Sequence, residues 1–195
     1  MATVGEDAIE IARRFVAARR TAGGLTDYPG ELPAELDAAY AIQDAAIEQW
    51  AKPIVGWKVG RIAPPLAERH HSDRLAGPIF TAVLADWGSS EMPVFARGFA
   101  AAEAEFLLRI GAAPPSGKTH YTLVEAAELI DAVHVGIEIA SSPLKPINDL
   151  GPTAIVSDFG NNNGLVVGPE MLSPGGYKQI YSFLLSLSTS FNQMQ

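Results

Sequence analysis

The chain has 195 residues, is 48% hydrophobic and 18% charged, and carries a formal net charge of -8 with no cysteine. Such a composition suits a folded domain with a proper core rather than a disordered chain. The acidic balance argues against a nucleic-acid backbone or an anionic membrane as partner, and the lack of thiols excludes disulfides, thiolate zinc sites and cysteine nucleophiles. Residues 1–10 carry acids and no apolar core segment, so they do not read as a secretory signal. No apolar run approaches the roughly 20 residues that span a bilayer, and a cytoplasmic protein is expected.

In chain order, residues 6–20 predict an amphipathic helix with Ala8, Ile9, Ala12, Phe15, Val16 and Arg19 at helical spacing, closed by Gly23-Gly24. Tyr28-Pro29-Gly30 marks a turn. Residues 36–50 predict a second helix with Leu36, Ala39, Tyr40, Gln43, Ala46, Ile47 and Trp50 on one stripe, stopped by Pro53. The pair reads as a cover (residues 1–52) with no chemistry of its own. From residue 54 short β-type runs take over, and Lys58 is the one charge in the first of them, residues 54–60. Residues 64–77 read as a loop or short helix. Residues 123–132 read as a helix with Thr122 as N-cap and Glu125 at its third position. Residues 153–157 and 165–167 read as short strands joined by a Gly/Asn-rich loop that begins at Asp158. Residues 171–195 form an atypical tail. Its stretch 173–195 has no acid, arginine or alanine, and reads either as a foreign or frameshifted end or as a natural polar C-terminus.

The segment Ala100–Ile110 concentrates the chemistry. Read as a strand, it places Glu103, Glu105, Leu107 and Arg109 on one side and Ala104, Phe106, Leu108 and Ile110 on the other, and the apolar side is expected to pack on a core. Residues 134–140 repeat the pattern, with Val135, Ile137 and Ile139 as the buried face and His134, Gly136 and Glu138 opposite. Close carboxylates repel, and hard divalent cations prefer oxygen ligands. Spacing alone leaves two readings open: one metal site, or glutamates facing solvent on half-exposed strands.

Four motifs in series resolve toward a known pattern. Gly56-Trp57-Lys58-Val59-Gly60, Glu103-Ala104-Glu105-Phe106, Gly136-Ile137-Glu138-Ile139, and Asp158 followed after five residues by Gly164-Leu165-Val166-Val167-Gly168 together resemble the 2-keto-4-pentenoate hydratase / 4-oxalocrotonate decarboxylase family. The resemblance covers roughly residues 6–168. It implies an α+β fold, a mixed β-roll or sandwich of the fumarylacetoacetase C-terminal type preceded by helices, with residues 53–170 as the catalytic core. It implies Mg²⁺ or Mn²⁺ on Glu103, Glu105 and Glu138, a catalytic lysine at Lys58, and small 2-oxo or 2-hydroxy-dienoic acids as substrates. A hydratase is the first expectation. A 2-oxo-acid decarboxylase or hydrolase on the same scaffold, or a non-catalytic hydratase-like subunit, is the alternative. A homo-oligomer is expected, with no nucleic acid or membrane partner.

Two departures qualify the pattern. Many members carry an acid where this chain reads Pro78-Ile79-Phe80-Thr81, and Asp73, His70 and His71 are the replacement candidates. Members also continue past Gly168 with strands that close the roll, whereas this chain carries its unusual tail, so an incomplete roll is expected. Asp158 either touches substrate or orients the Asn161-Asn162-Asn163 loop.

Overall fold

Two helices open the chain where apolar spacing predicts them. The computed structural model describes residues 5–86 and 90–172, so the tail 173–195, including the apolar stretch 180–185, lies outside the described residues. The helix α1 (Glu6–Arg20) has acids in its first turn and arginines in its last, a charge order that complements the helix dipole. It buries Ile11, Ala12, Phe15, Val16 and, unusually for a charged residue, Arg19. The helix α2 (Leu36–Trp50) closes at Ala51 with a left-handed φ of 55°, two residues before Pro53, which cannot continue it.

The strand β1 (Gly56–Arg61) pairs antiparallel with β2 (Arg74–Ile79), and a four-residue helix, α3 (Leu66–Arg69), lies between them. The β2 strand falls where the sequence suggests a loop, because Leu75, Gly77, Pro78 and Ile79 bury without alternation. Next come β3 (Ala82–Leu84), β4 (Phe99–Ile110), α4 (Leu123–Glu128) and β5 (Ile130–Ser142). The short helices α5 (Ile147–Leu150) and α6 (Pro152–Ser157) follow, and a tight turn, Phe159–Asn161, leads into β6 (Asn162–Leu172). Strands β3, β6, β5 and β4 form one mixed sheet in that order, with β3 parallel to β6 and the other pairs antiparallel.

Two expected elements change type or length. Residues 153–157 are helical rather than extended. Pro152 occupies the start of α6, where its fixed φ and missing N–H suit a helix, and Ala154 and Val156 bury there. The helix expected over residues 123–132 stops at Glu128, and the chain passes directly into β5.

The main core lies between the helices and the segment after β5. Ile11, Phe15 and Val16 from α1 and Ile42, Ala45 and Ala46 from α2 pack with Leu144, Ile147, Ala154 and Phe159. Burial on the sheet departs from the alternation argument. Phe106, Leu108 and Ile110 are 44%, 40% and 57% exposed, and Ile137 is 44% exposed, while Glu138 is only 3% exposed. The reason is position in the sheet. Phe106, Leu108, Ile110 and Ile137 share one face of the sheet, and among the described residues the main core forms under the helices instead of on that face. No helix among the described residues is long and apolar enough to cross a membrane.

Candidate active site

The register of β4 on β5 sets Glu103 directly opposite Glu138 and Glu105 opposite Gly136. A Cβ at Gly136 would lie 2.6 Å from both Val166 O and Leu107 Cδ1, so only glycine lets the neighbouring strands close up here. Each of the three glutamates offers an oxygen, and those oxygens all lie within 4.8 Å of one another. Like charges facing each other across a ladder are destabilising. The strain shows at Glu105, whose carboxyl is held above the ordinary range first by burial, then by the charges of Glu138 and Glu103, with Lys58 pulling the other way. A divalent cation would relieve that repulsion. Three carboxylates with no nitrogen or sulfur donor are the ligand type that Mg²⁺ and Mn²⁺ prefer, so these residues fit such an ion.

Lys58 reaches the cluster from the other sheet. Its Nζ lies 3.3 Å from Glu138 Oε1 and donates to Asn161 Oδ1 at 3.2 Å, with the side chain 11% exposed. Beside it is a cavity of about 450 Å³ lined by Trp57, Lys58, Ile79, Glu105, Glu138 and Leu165 among others. The lysine and the three glutamates therefore share one site, although they come from three strands.

Two asparagines complete it. Asn162 donates through Nδ2 to Glu138 Oε1 at 2.9 Å, and Asn161 accepts from Lys58. Both sit at the exit of the Phe159–Asn161 turn, where Phe159, Gly160 and Asn161 have φ of 57°, 64° and 55°. Left-handed backbone costs a non-glycine residue about 1–2 kcal/mol, so surrounding contacts must hold this turn in place. On one side it lies against Gly77, where a Cβ would collide with Phe159 O and Gly160 Cα.

Asp158 does not line the cavity. It is fully buried, and its carboxylate binds the Arg19 guanidinium at 2.6 and 2.9 Å and accepts from Ser142 Oγ at 2.6 Å. The Asn161 amide donates to Asp158 O at 2.9 Å, which agrees with the role of orienting the asparagine loop. Asp73 lies at the surface. Its side chain is 74% exposed, pairs with Arg74 at 3.1 Å and does not line the cavity. Neither His70 nor His71 belongs to the carboxylate cluster or lines the cavity. The Nδ1 of His134 lies 3.1 Å from Gly168 O, which ties β5 to β6 beside the site. Sequence reasoning assigned no role to Arg19, Asn161 or Asn162. The signals available were an arginine on the apolar stripe of α1 and the run of three asparagines.

Helices packed beside a mixed sheet, with carboxylates and a lysine converging from separate strands, define an α+β fold carrying a candidate divalent-metal site. Among solved structures the chain is similar to 4-oxalocrotonate decarboxylase from Pseudomonas putida G7, complexed in one structure with calcium and acetate and in another with magnesium and adipate. Each comparison gives a TM-score of 0.61 and 18% identity over 86% of this chain and 64% of that one. The chain thus spans less than two thirds of the length of those proteins. No protein-family model and no curated protein matches the sequence.

Proposed function

We propose that the chain carries the site of a divalent-metal-dependent lyase, in which Glu103, Glu105 and Glu138 hold Mg²⁺ or Mn²⁺ and Lys58 is the proton-handling group. The substrate class is a small 2-oxo or 2-hydroxy-2,4-dienoic acid, and the reaction is addition of water to its conjugated double bond. The observation that carries the reading is the meeting of three carboxylates with the Lys58 ammonium, 3.3 Å from Glu138. When bound, the cation supplies a Lewis acid that steadies negative charge developing on a 2-oxo acid.

The chain's own residues do the rest. Lys58 Nζ lies 3.3 Å from Glu138 Oε1, within reach of a molecule held at the carboxylates, so it can deliver or accept a proton there. Asn161 and Glu138 hold that amine in place at the cavity wall, since both contact it. Trp57, Ile79 and Leu165 give the cavity apolar walls against which the hydrocarbon part of the substrate can lie. Among the described lining residues Lys58 is the one cation, which favours a substrate whose far end is uncharged.

Decarboxylation of a 2-oxo acid at the same residues is the second reading, favoured by the solved structures named above. Two substrates separate them. With Mn²⁺ present, loss of the ultraviolet absorbance of a 2-hydroxy-2,4-dienoate supports hydration, and release of carbon dioxide from a 2-oxo-3-enedioic acid, whose second carboxylate can leave its bonding pair to the 2-oxo-enoate as a dienolate, supports decarboxylation. Protein that demonstrably binds Mn²⁺ and turns over neither substrate overturns the enzymatic reading and leaves a binding module.

A further inference from the structure

We infer that Arg19, on α1, is a positioning residue for this centre, acting through the Phe159–Asn161 turn and the side chain of Asn162. The inference rests on the reading of the three glutamates as a metal site.

The geometry starts from a guanidinium that spans the turn. Arg19 donates to Asp158 O at 3.2 Å on the entry side and to Asn162 O at 3.0 Å on the exit side, so one side chain brackets the three left-handed residues between them. The guanidinium also donates to the Asp158 carboxylate and to Asn163 Oδ1 at 3.3 Å, Nη2 shares its two hydrogens among three acceptors that include Ser141 O at 3.4 Å, and Phe95 and Phe159 flank the guanidinium. The turn is thus clamped between Arg19 and Gly77. What leaves the clamp is Asn161, facing Lys58, and Asn162, facing Glu138. A pair that merely fastened α1 to the sheet would need only the carboxylate of Asp158. Arg19 also grips the main chain on both sides of the one segment whose side chains hold the lysine and the carboxylate. Groups behind metal ligands commonly change metal affinity by about tenfold or more when lost.

The test is Mn²⁺ binding by titration calorimetry to the full chain, with the thermal midpoint of each metal-free variant measured alongside. Arg19→Lys keeps the charge but loses the planar fork that reaches both carbonyls. It is expected to weaken Mn²⁺ binding about tenfold while the protein stays folded by circular dichroism, and Asn162→Ala is expected to do the same. Because Arg19 acts through Asn162, the double variant should bind within about twofold of the weaker single variant. Losses that multiply, or an Arg19→Lys protein that melts earlier yet binds Mn²⁺ within about twofold of wild type, overturn the inference. Should Arg19→Lys fail to fold, Asn162→Ala decides alone, and wild-type affinity there overturns it. Wild-type protein that takes up no Mn²⁺ overturns the metal site itself and this role with it, an outcome separate from a wild type that binds and a variant that binds equally well.

Discussion

At the scale of single residues, the centre is a balance of charges. Glu103 and Glu138 face each other across the β4–β5 ladder with Glu105 beside them, and one ammonium partly neutralises the three. Removing a carboxylate should therefore relieve the metal-free protein and disable the metal-bound one. Glu105→Gln is expected to melt no lower than wild type without metal. Wild type should gain about 2.7 kcal/mol with the ion at a hundredfold excess over its Kd, and the variant should gain almost nothing. Denaturant melts with and without Mg²⁺ check both. Lys58→Met separates binding from turnover. Loss of the ammonium leaves Mn²⁺ affinity equal or tighter, while turnover of the dienoate falls by roughly 10²–10⁴-fold if the lysine moves the proton. A variant that loses both together would instead mark Lys58 as part of the metal-binding framework.

At the scale of elements, the helix α4 owes its short, defined run to its cap. Thr122 Oγ1 accepts from the Glu125 amide at 3.3 Å, the Glu125 carboxylate accepts from the Thr122 amide at 2.9 Å, and Lys118 adds an ion pair at 2.6 Å. These contacts, led by Lys118, pull the Glu125 carboxyl down to about 2. A carboxyl whose folded value is depressed stabilises the fold above its ordinary value and loses that contribution as pH falls through the folded one. The contribution should be complete above about pH 4.5 and decline toward pH 2. Thr122→Ala should cost about 1 kcal/mol at neutral pH, and Glu125→Gln should flatten the acid limb. Urea melts across that pH range read both effects. The same scale shows why β2 and α6 were hard to read. Residues 77–79 are buried in succession, with Gly77 and Pro78 among them, and Thr153, Ile155 and Val156 are strand-type side chains in a segment whose helical start depends on Pro152.

At the scale of the whole molecule, the helical layer is tied to the site by buried polar contacts as well as by apolar packing. Besides Arg19, Tyr28 reaches from the α1–α2 connection to donate to Ser157 Oγ at 2.9 Å, with its ring edge-on to Phe15. Burial, with a smaller push from the Asp158 charge, raises its phenol from 10.0 to about 12, although the Ser157 bond opposes the shift. A group whose folded value is raised stabilises fully below its unfolded value and loses that effect as pH climbs through the folded one. Stability of the wild type should therefore fall between pH 10 and about 12, and Tyr28→Phe should remove that slope in alkaline unfolding curves.

What the sequence by itself determined is what nearest neighbours encode. Both N-terminal helices run over residues 6–20 and 36–50 as expected, because each carries its own apolar period and its own stop, Gly23-Gly24 or Pro53. The shared face of Glu103 and Glu105 follows from strand alternation alone, and the grouping with Glu138 and Lys58 followed from the family likeness of four motifs. Only the tertiary structure decided the pairing register that sets Glu138 against Glu103, the exposure of the Phe106 face, the burial of Asp158 and the reach of Arg19 to Asn162. Periodicity reports which side of its own strand or helix a residue occupies. Which residue more than a hundred positions away meets it depends on how the layers close, and that is written in no local stretch of the chain.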